Sequence, residues 1–249
     1  LAAAQASANH YLTDCGATGN TGPSAQQYLN TYSYGNRANY DDDVYTLSSD
    51  MQTIKVTQSG TYRITAIGAS GCTHDGVATY HGAKVSGEIS LTAGDFLHCV
   101  VGQPGTMANV QSSGDGSAGP AGGNTYVGTS SSVSSTGSSI TLKFLASGGP
   151  SESDSDLTTS QVGTYSYITT SSSTWPSSFT GDSYSRGGET GYGGFGKGQV
   201  YDDAAASSDT SYYGSASNTA FTSQDTTIGG AAPYDSHKGS IEIKLISIS

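Results

Sequence analysis

Charge is scarce in this chain of 249 residues. Only 12% are Asp, Glu, Lys or Arg, and nine basic residues against twenty acidic ones leave a net charge of −11. With a pI near 4.5 and no Lys/Arg cluster, counterion release has nothing to act through, so no nucleic-acid partner is expected. Long apolar runs are missing as well. No stretch of 18 or more apolar residues occurs, so no helical membrane span is expected, and no sustained heptad or 3.6-residue pattern supports a coiled coil or helical bundle. Cysteine is sparse: Cys15, Cys72 and Cys99 are too few for a disulfide scaffold and lack the C-x-x-C spacing of a metal site. An odd count allows at most one intramolecular bridge. Cys15 and Cys99, near comparable strand ends, are the candidate pair, and the third thiol is either buried or bonded to another chain. None of the eight Asn residues lies in an N-x-Ser/Thr sequon, so Asn-linked glycan is not expected.

What is present is hydroxyl and glycine. Ser and Thr number 72, Gly 35 and Tyr 17, while Leu, Ile, Val and Phe make up about 15% of the chain, below the roughly 20% where disorder sets in. The mild net charge and the area offered by Tyr argue for a folded chain, and the length suits one β-rich domain. Period-two alternation marks strands over 52–57, 61–68 and 83–91, with more continuously apolar runs at 95–101 and 140–146. The run 239–248 alternates Ile241, Ile243 and Leu245 with Ser240, Glu242 and Lys244. Its parity then slips at Ile246 and Ile248, so either a bulge re-aims the strand or its tail pairs elsewhere. Gly60 and Gly94 stand where short connections call for positive φ.

A second punctuation closes four strands: Cys15–Gly19, Ile67–Gly71, Val101–Gly105 and Ala146–Pro150. Small residues recurring at four strand ends imply one crowded edge of a sandwich, where extended polyproline II segments can stack through glycine backbone contacts. Long polar tracts lie between the strands, at 111–139, 151–160 and 169–178, followed by a Tyr/Gly region over 181–227. Structureless loops of this length are uncommon in a compact domain, so burial against each other or against neighbouring subunits is expected.

Several of these motifs occur together, in order, in a known family. The stretches Tyr11 to Gln27 (YLTDCGATGNTGPSAQQ), Gly60 to Gly71 (GTYRITAIGASG), Leu91 to Gly105 (LTAGDFLHCVVGQPG), Gly122 to Val127 (GGNTYV), Leu142 to Gly149 (LKFLASGG), Gly191 to Gly196 (GYGGFG) and Lys238 to Leu245 (KGSIEIKL) resemble the extracellular glycine-rich domain of anaplastic lymphoma kinase and leukocyte receptor kinase. The resemblance spans nearly the whole chain. It implies an all-β, jelly-roll-like β-sandwich with Gly/Ser-rich, partly polyproline II loops clustered at one edge, located outside the cell or on its surface. Departures are visible too: glycine pairs diluted by Ser, Thr, Tyr and Asp replace pure glycine runs, and Tyr28 stands where the receptors carry a second Cys. No kinase or membrane segment follows, so no ligand-contact residue carries over.

Chemistry-bearing motifs are weak. Gly191 to Gly196 fits G-x-G-x-x-G without the βαβ unit that a dinucleotide needs. The five His are scattered, and no nucleophile elbow, S-x-x-K or H-E-x-x-H occurs; no enzyme activity, cofactor or metal is expected. Asp41, Asp42 and Asp43 form the densest acidic cluster, a weak calcium candidate whose spacing departs from known calcium loops, with a solvated lead-in as the plainer reading. The Tyr-rich stretch 184–213 could present rings to sugars, to another subunit or to the chain's own interior.

The division expected is an arm over 1–9, exchanged between subunits, and a single domain over 10–249. Leu1, Ala2, Ala3, Ala4, Ala6 and Ala8 supply a small-residue segment that reads as the start of a mature exported chain. With Ile246 and Ile248 they are the candidate assembly residues. The leading expectation is a secreted structural protein that polymerises by strand addition into an extracellular filament or coat, a homo-oligomer or helical polymer. The alternative is a monomeric adhesin or receptor-like module that recognises glycan or protein through its Gly/Tyr-rich loops.

Overall fold

The computed structural model describes residues 9–33, 44–46, 51–72, 78–80, 82, 84–109, 120–133, 139–149, 167–181, 183–186, 189–192, 196, 224–225 and 238–249. In chain order these form β1 (His10–Thr13), α1 (Ala25–Ser33), β2 (Val44–Thr46), β3 (Gln52–Lys55), β4 (Gly60–Ile67), β5 (Gly71–Cys72), β6 (Ala78–Tyr80), β7 (Lys84–Leu91), β8 (Phe96–Val100), β9 (Thr106–Asn109), β10 (Thr125–Ser130), β11 (Thr141–Ala146), β12 (Tyr167–Thr174), β13 (Ser183–Arg186), β14 (Glu189–Tyr192), β15 (Gln224–Asp225) and β16 (Ser240–Ile248). The class is all-β, as expected.

Two antiparallel sheets carry the fold. One has the order β1-β16-β4-β7-β15 and the other β12-β11-β10-β8-β3-β2, with a three-stranded sheet β13-β14-β9 and a β5-β6 pair besides. The alternation seen in the sequence turns one face of each sheet inward. Leu12, Tyr62, Ile64, Ala66, Val85, Ile241, Ile243 and Leu245 from the first sheet meet Ile54, Leu97, Cys99, Val127, Phe144 and Ala146 from the second in one continuous core. The six-stranded sheet also buries its other face. Met51, Val100, Tyr126, Ile140, Leu142 and Leu145 pack there beneath Trp175 and Phe179, and the three aromatic rings meet edge to face with centroids 5.1–6.2 Å apart, the arrangement that ring quadrupoles favour. Gly128 makes this cover possible, because a Cβ there would meet both Ile140 and the Trp175 ring.

The parity slip in the last strand is resolved as a bulge. Leu245 pairs with Tyr62 and Ser247 with Thr61, leaving Ile246 as the extra residue, and Ile248 still pairs with Gly60. The tail therefore stays in its own sheet rather than leaving it. Gly60 corrects a second expectation: its φ is not positive. It is instead the point where β16 presses closest, since a Cβ would overlap the Ser247 carbonyl oxygen. Gly94 does take the left-handed conformation, with φ 99°.

Three elements were absent from the sequence reading. α1 opens with a reciprocal capping box, in which Gln27 N–H donates to Ser24 Oγ (3.3 Å) while Ser24 N–H donates to Gln27 Oε1 (2.9 Å). Buried Tyr28 anchors the helix to the body. β10 lies inside a stretch that read as a polar tract, and β12 is built almost wholly of Thr and Ser.

Candidate functional site

Two features at the rim of the sandwich stand out. The first is a bundle of four non-strand segments, 67–71, 101–105, 120–124 and 146–149, held together by main-chain hydrogen bonds. Ala69 N–H donates to Gly123 O (3.0 Å), Gly122 N–H to Gly149 O (2.9 Å) and Gly149 N–H to Ala69 O (2.7 Å), closing a ring of three segments. Gly105 N–H to Ser70 O (3.1 Å) and Gly123 N–H to Gln103 O (2.9 Å) close a second ring that shares the Ala69–Gly123 bond. The consecutive donors Gly122, Gly123 and Asn124 reach three different partners, Gly149, Gln103 and Gly196. A β-strand would send alternate donors in two opposite directions; here the backbone turns about a third of a circle per residue.

Glycine is required for this approach. A Cβ at Gly122 would overlap the Ala69 carbonyl oxygen, one at Gly148 that of Gly122, one at Gly68 that of Ser147, and one at Gly102 that of Gly123. Thr125 ties the bundle to the sheets, accepting from Gly102 N–H (3.0 Å) and donating to Ile67 O (2.7 Å). Asn124 accepts from Gly148 N–H (2.8 Å) and donates to Tyr126 Oη (3.0 Å). Three of the four strand ends singled out in the sequence meet here. The fourth member is 120–124, whereas Cys15–Gly19 forms a turn in which Gly16 (φ 73°) and Gly19 (φ 96°) have open space where a Cβ would sit.

The second feature is the outer edge of β16. β1 pairs with it only from Thr13↔Ser240 to His10↔Ile243. Beyond Ile243, among the described residues, the last bond on that side is Leu245 N–H to Asn9 Oδ1 (2.9 Å). Ser249 N–H turns back to Ser59 O (3.2 Å), so strand alternation sends the N–H and C=O of Ile248 outward. Tyr11 (54%), Ile246 (41%) and Ile248 (41%) are the exposed large apolar side chains among the described residues, and all three lie on β1 and β16. Ile246 and Ile248, candidates from the sequence, thus stand at an open strand edge. The segment Leu1 to Ala8, which leads into β1, lies outside the described residues.

The turn after β1 is fixed by a buried ion pair. Asp14 Oδ1 accepts from Gly16 N–H (3.1 Å), and Lys238 Nζ, just before β16, lies 3.3 Å from Oδ1 and 3.2 Å from Oδ2. The Asp14 side chain is 2% exposed, so its charge needs this partner. Cys15 takes a left-handed conformation (φ 54°) in the same turn. It is not bridged to Cys99, which corrects the disulfide expectation: Cys99 points into the core from the middle of β8, while the Cys15 thiol donates to Thr13 O at 3.6 Å. Burial raises the Cys99 thiol well above its usual range, leaving it inert toward oxidants and alkylating reagents.

His98 is wired as a structural relay. Its Nδ1 lies 3.1 Å from Thr53 Oγ1 and its Nε2 2.7 Å from Ser130 Oγ, while Ser130 Oγ donates to Ser132 O (2.7 Å). With the serine proton committed to that carbonyl, Nε2–H donates to Ser130 and Nδ1 accepts from Thr53. This order is the reverse of a general base taking a serine proton. Burial holds His98 at about 4, against the opposing pull of a Ser132 backbone bond, and burial likewise holds His10 at about 4. Both rings are neutral at pH 7.

Among the described residues no group of three or more His, Cys, Asp and Glu could hold a metal, and no helix is long and apolar enough to cross a membrane. Asp41, Asp42 and Asp43, the calcium candidates, lie outside the described residues, as do 197–223 of the Tyr-rich region. Compared with protein-family models and with curated proteins, the chain gives no match.

Proposed function

We propose that this chain is a secreted structural protein that assembles with copies of itself outside the cell, each copy adding its Leu1 to Ala8 segment as a strand beside β16 of the next. The observation that carries the reading is the β16 edge, a paired strand whose outer side loses its partner at Ile243 and is flanked by exposed Tyr11, Ile246 and Ile248. An incoming strand satisfies the outward backbone groups. It also covers apolar side chains, each contributing about 1 kcal/mol or more. Contacts of this donor-to-edge kind are heterologous, so they propagate instead of closing.

The glycine bundle supports the fold-level half of the reading. Donors that turn a third of a circle per residue are what polyproline II segments present, three residues per turn. Side-by-side packing of such segments at the rim of a jelly-roll sandwich accords with a receptor-type glycine-rich domain. In the assembly the bundle is a rigid rim and not a binding loop.

The test is sedimentation velocity and negative-stain imaging of the full chain beside a variant lacking Leu1 to Ala8. Filaments or large oligomers from the full chain and folded monomers from the variant support the reading. Isolated particles from both, particularly particles that bind a glycan array, would replace it with the adhesin reading.

A further inference from the structure

Asn9 does something a strand residue ordinarily does not. In the β1–β16 ladder, Leu12 faces Ile241 and His10 faces Ile243, so the same register carried two residues further would bring Ala8 opposite Leu245. Leu245 N–H points to the β1 side, since its acceptor is the residue next to β1. By alternation Ile241 and Ile243 point there too, so Ala8 C=O is the acceptor that a continued ladder would offer to Leu245. That position is already filled by the Asn9 side chain, whose Oδ1 takes the Leu245 N–H at 2.9 Å. A short polar side chain substituting for a backbone acceptor is how Asn competes with regular structure.

We infer that Asn9 is a ladder stop: by occupying Leu245 N–H it diverts the chain's own Leu1 to Ala8 segment from β16 and reserves the remaining edge, with Ile246 and Ile248, for the same segment of a second copy. This rests on the assembly reading above and adds its control, the choice between pairing within one copy and pairing across copies. The stop acts on one donor only, so it lets an incoming strand begin beyond Leu245, where the backbone groups of Ile248 face outward and the bulge at Ile246 has already changed the strand's course. Asn9 is a positioning residue. Its effect runs through the Leu245 N–H.

Two substitutions separate this role from plain edge stability. Asn9→Asp keeps a side-chain acceptor for Leu245, whereas Asn9→Val removes it and favours extended backbone. The full chain and both variants are compared by sedimentation velocity and, at a concentration where all are monomeric, by residue-resolved hydrogen exchange. The expected result is that Asn9→Val slows exchange of the amides in 2–8 by about tenfold or more, as its own segment joins the ladder, and that it assembles less. Asn9→Asp should match the parent in both readouts. Unchanged protection of Ile64 and Ile243 in all three reports an intact sheet. Equal exchange of 2–8 in Asn9→Val and the parent overturns the inference even if assembly falls. A Leu1 to Ala8 deletion that leaves sedimentation unchanged removes instead the reading on which it rests, and the exchange data still report Asn9 alone.

Discussion

In the sandwich interior Phe144, Ile64 and Ile241 are shielded from water by side chains of the facing sheet; in the rim bundle Gly122 and Gly148 have no side chains and are shielded by neighbouring carbonyls. The first region gains from apolar area removed from water and tolerates changes of shape in proportion to the volume changed. The second gains from satisfied main-chain groups and close backbone contact, and it tolerates nothing larger than hydrogen at the contact points. A chain with so few large aliphatic residues can cover a wide area in this way. It replaces side-chain burial with backbone burial at one end of the molecule.

The contrast can be broken at either end. Phe144→Ala should lower unfolding free energy by about 4 kcal/mol, the cost of a buried aromatic and its cavity, read by chemical denaturation. Gly122→Ala should cost about 3 kcal/mol although it adds a single methyl, because backbone must move to admit it. A Gly122→Ala variant as stable as the parent would mean that the bundle is loose. Gly94→Ala serves as the matched control. Its Cβ has open space and only the left-handed φ of 99° opposes it, so a loss of about 1 kcal/mol is expected.

Acid should act on the sandwich and not on the bundle. His10 and His98 are held neutral by burial at about 4, below the ordinary 6.5, so between these values the unfolded chain binds protons that the folded chain refuses. Their contribution is fully present above about pH 6.5 and is lost as pH falls toward 4, on the order of 3 kcal/mol per ring. Denaturation midpoints measured across this window should show the slope, and His98→Asn should flatten it. A parent without the slope would contradict the neutral, hydrogen-bonded assignment of His98.

What could be read in the sequence follows the same division. Strands with one buried face, β4, β7 and β16, announced themselves by alternation, and the slip at Ile246 and Ile248 located the bulge before its outcome was known. β10 did not, since Thr125 to Gly128 are buried on both faces and two-sided burial erases alternation. β12 had no apolar rhythm to show, being nearly all Thr and Ser. The helix was signalled only by the Ser24/Gln27 capping box, easily missed in nine residues. Recurrent glycine pointed to the rim, yet 120–124, which links both hydrogen-bonded rings, carries no more glycine than the turn at Cys15–Gly19 that stays outside them. Asn9 was illegible for another reason: its partner lies 236 residues away, beyond any local pattern.

The most direct test of the assembly account places charge on the open edge of β16. Ile246→Lys with Ile248→Lys, made in the full chain, changes two exposed side chains and should leave the sheet intact, as judged by unaltered denaturation midpoints. Sedimentation velocity of this variant should then show monomers at concentrations where the parent forms oligomers or filaments. Oligomers of unchanged size would place the contact elsewhere on the molecule and contradict the account.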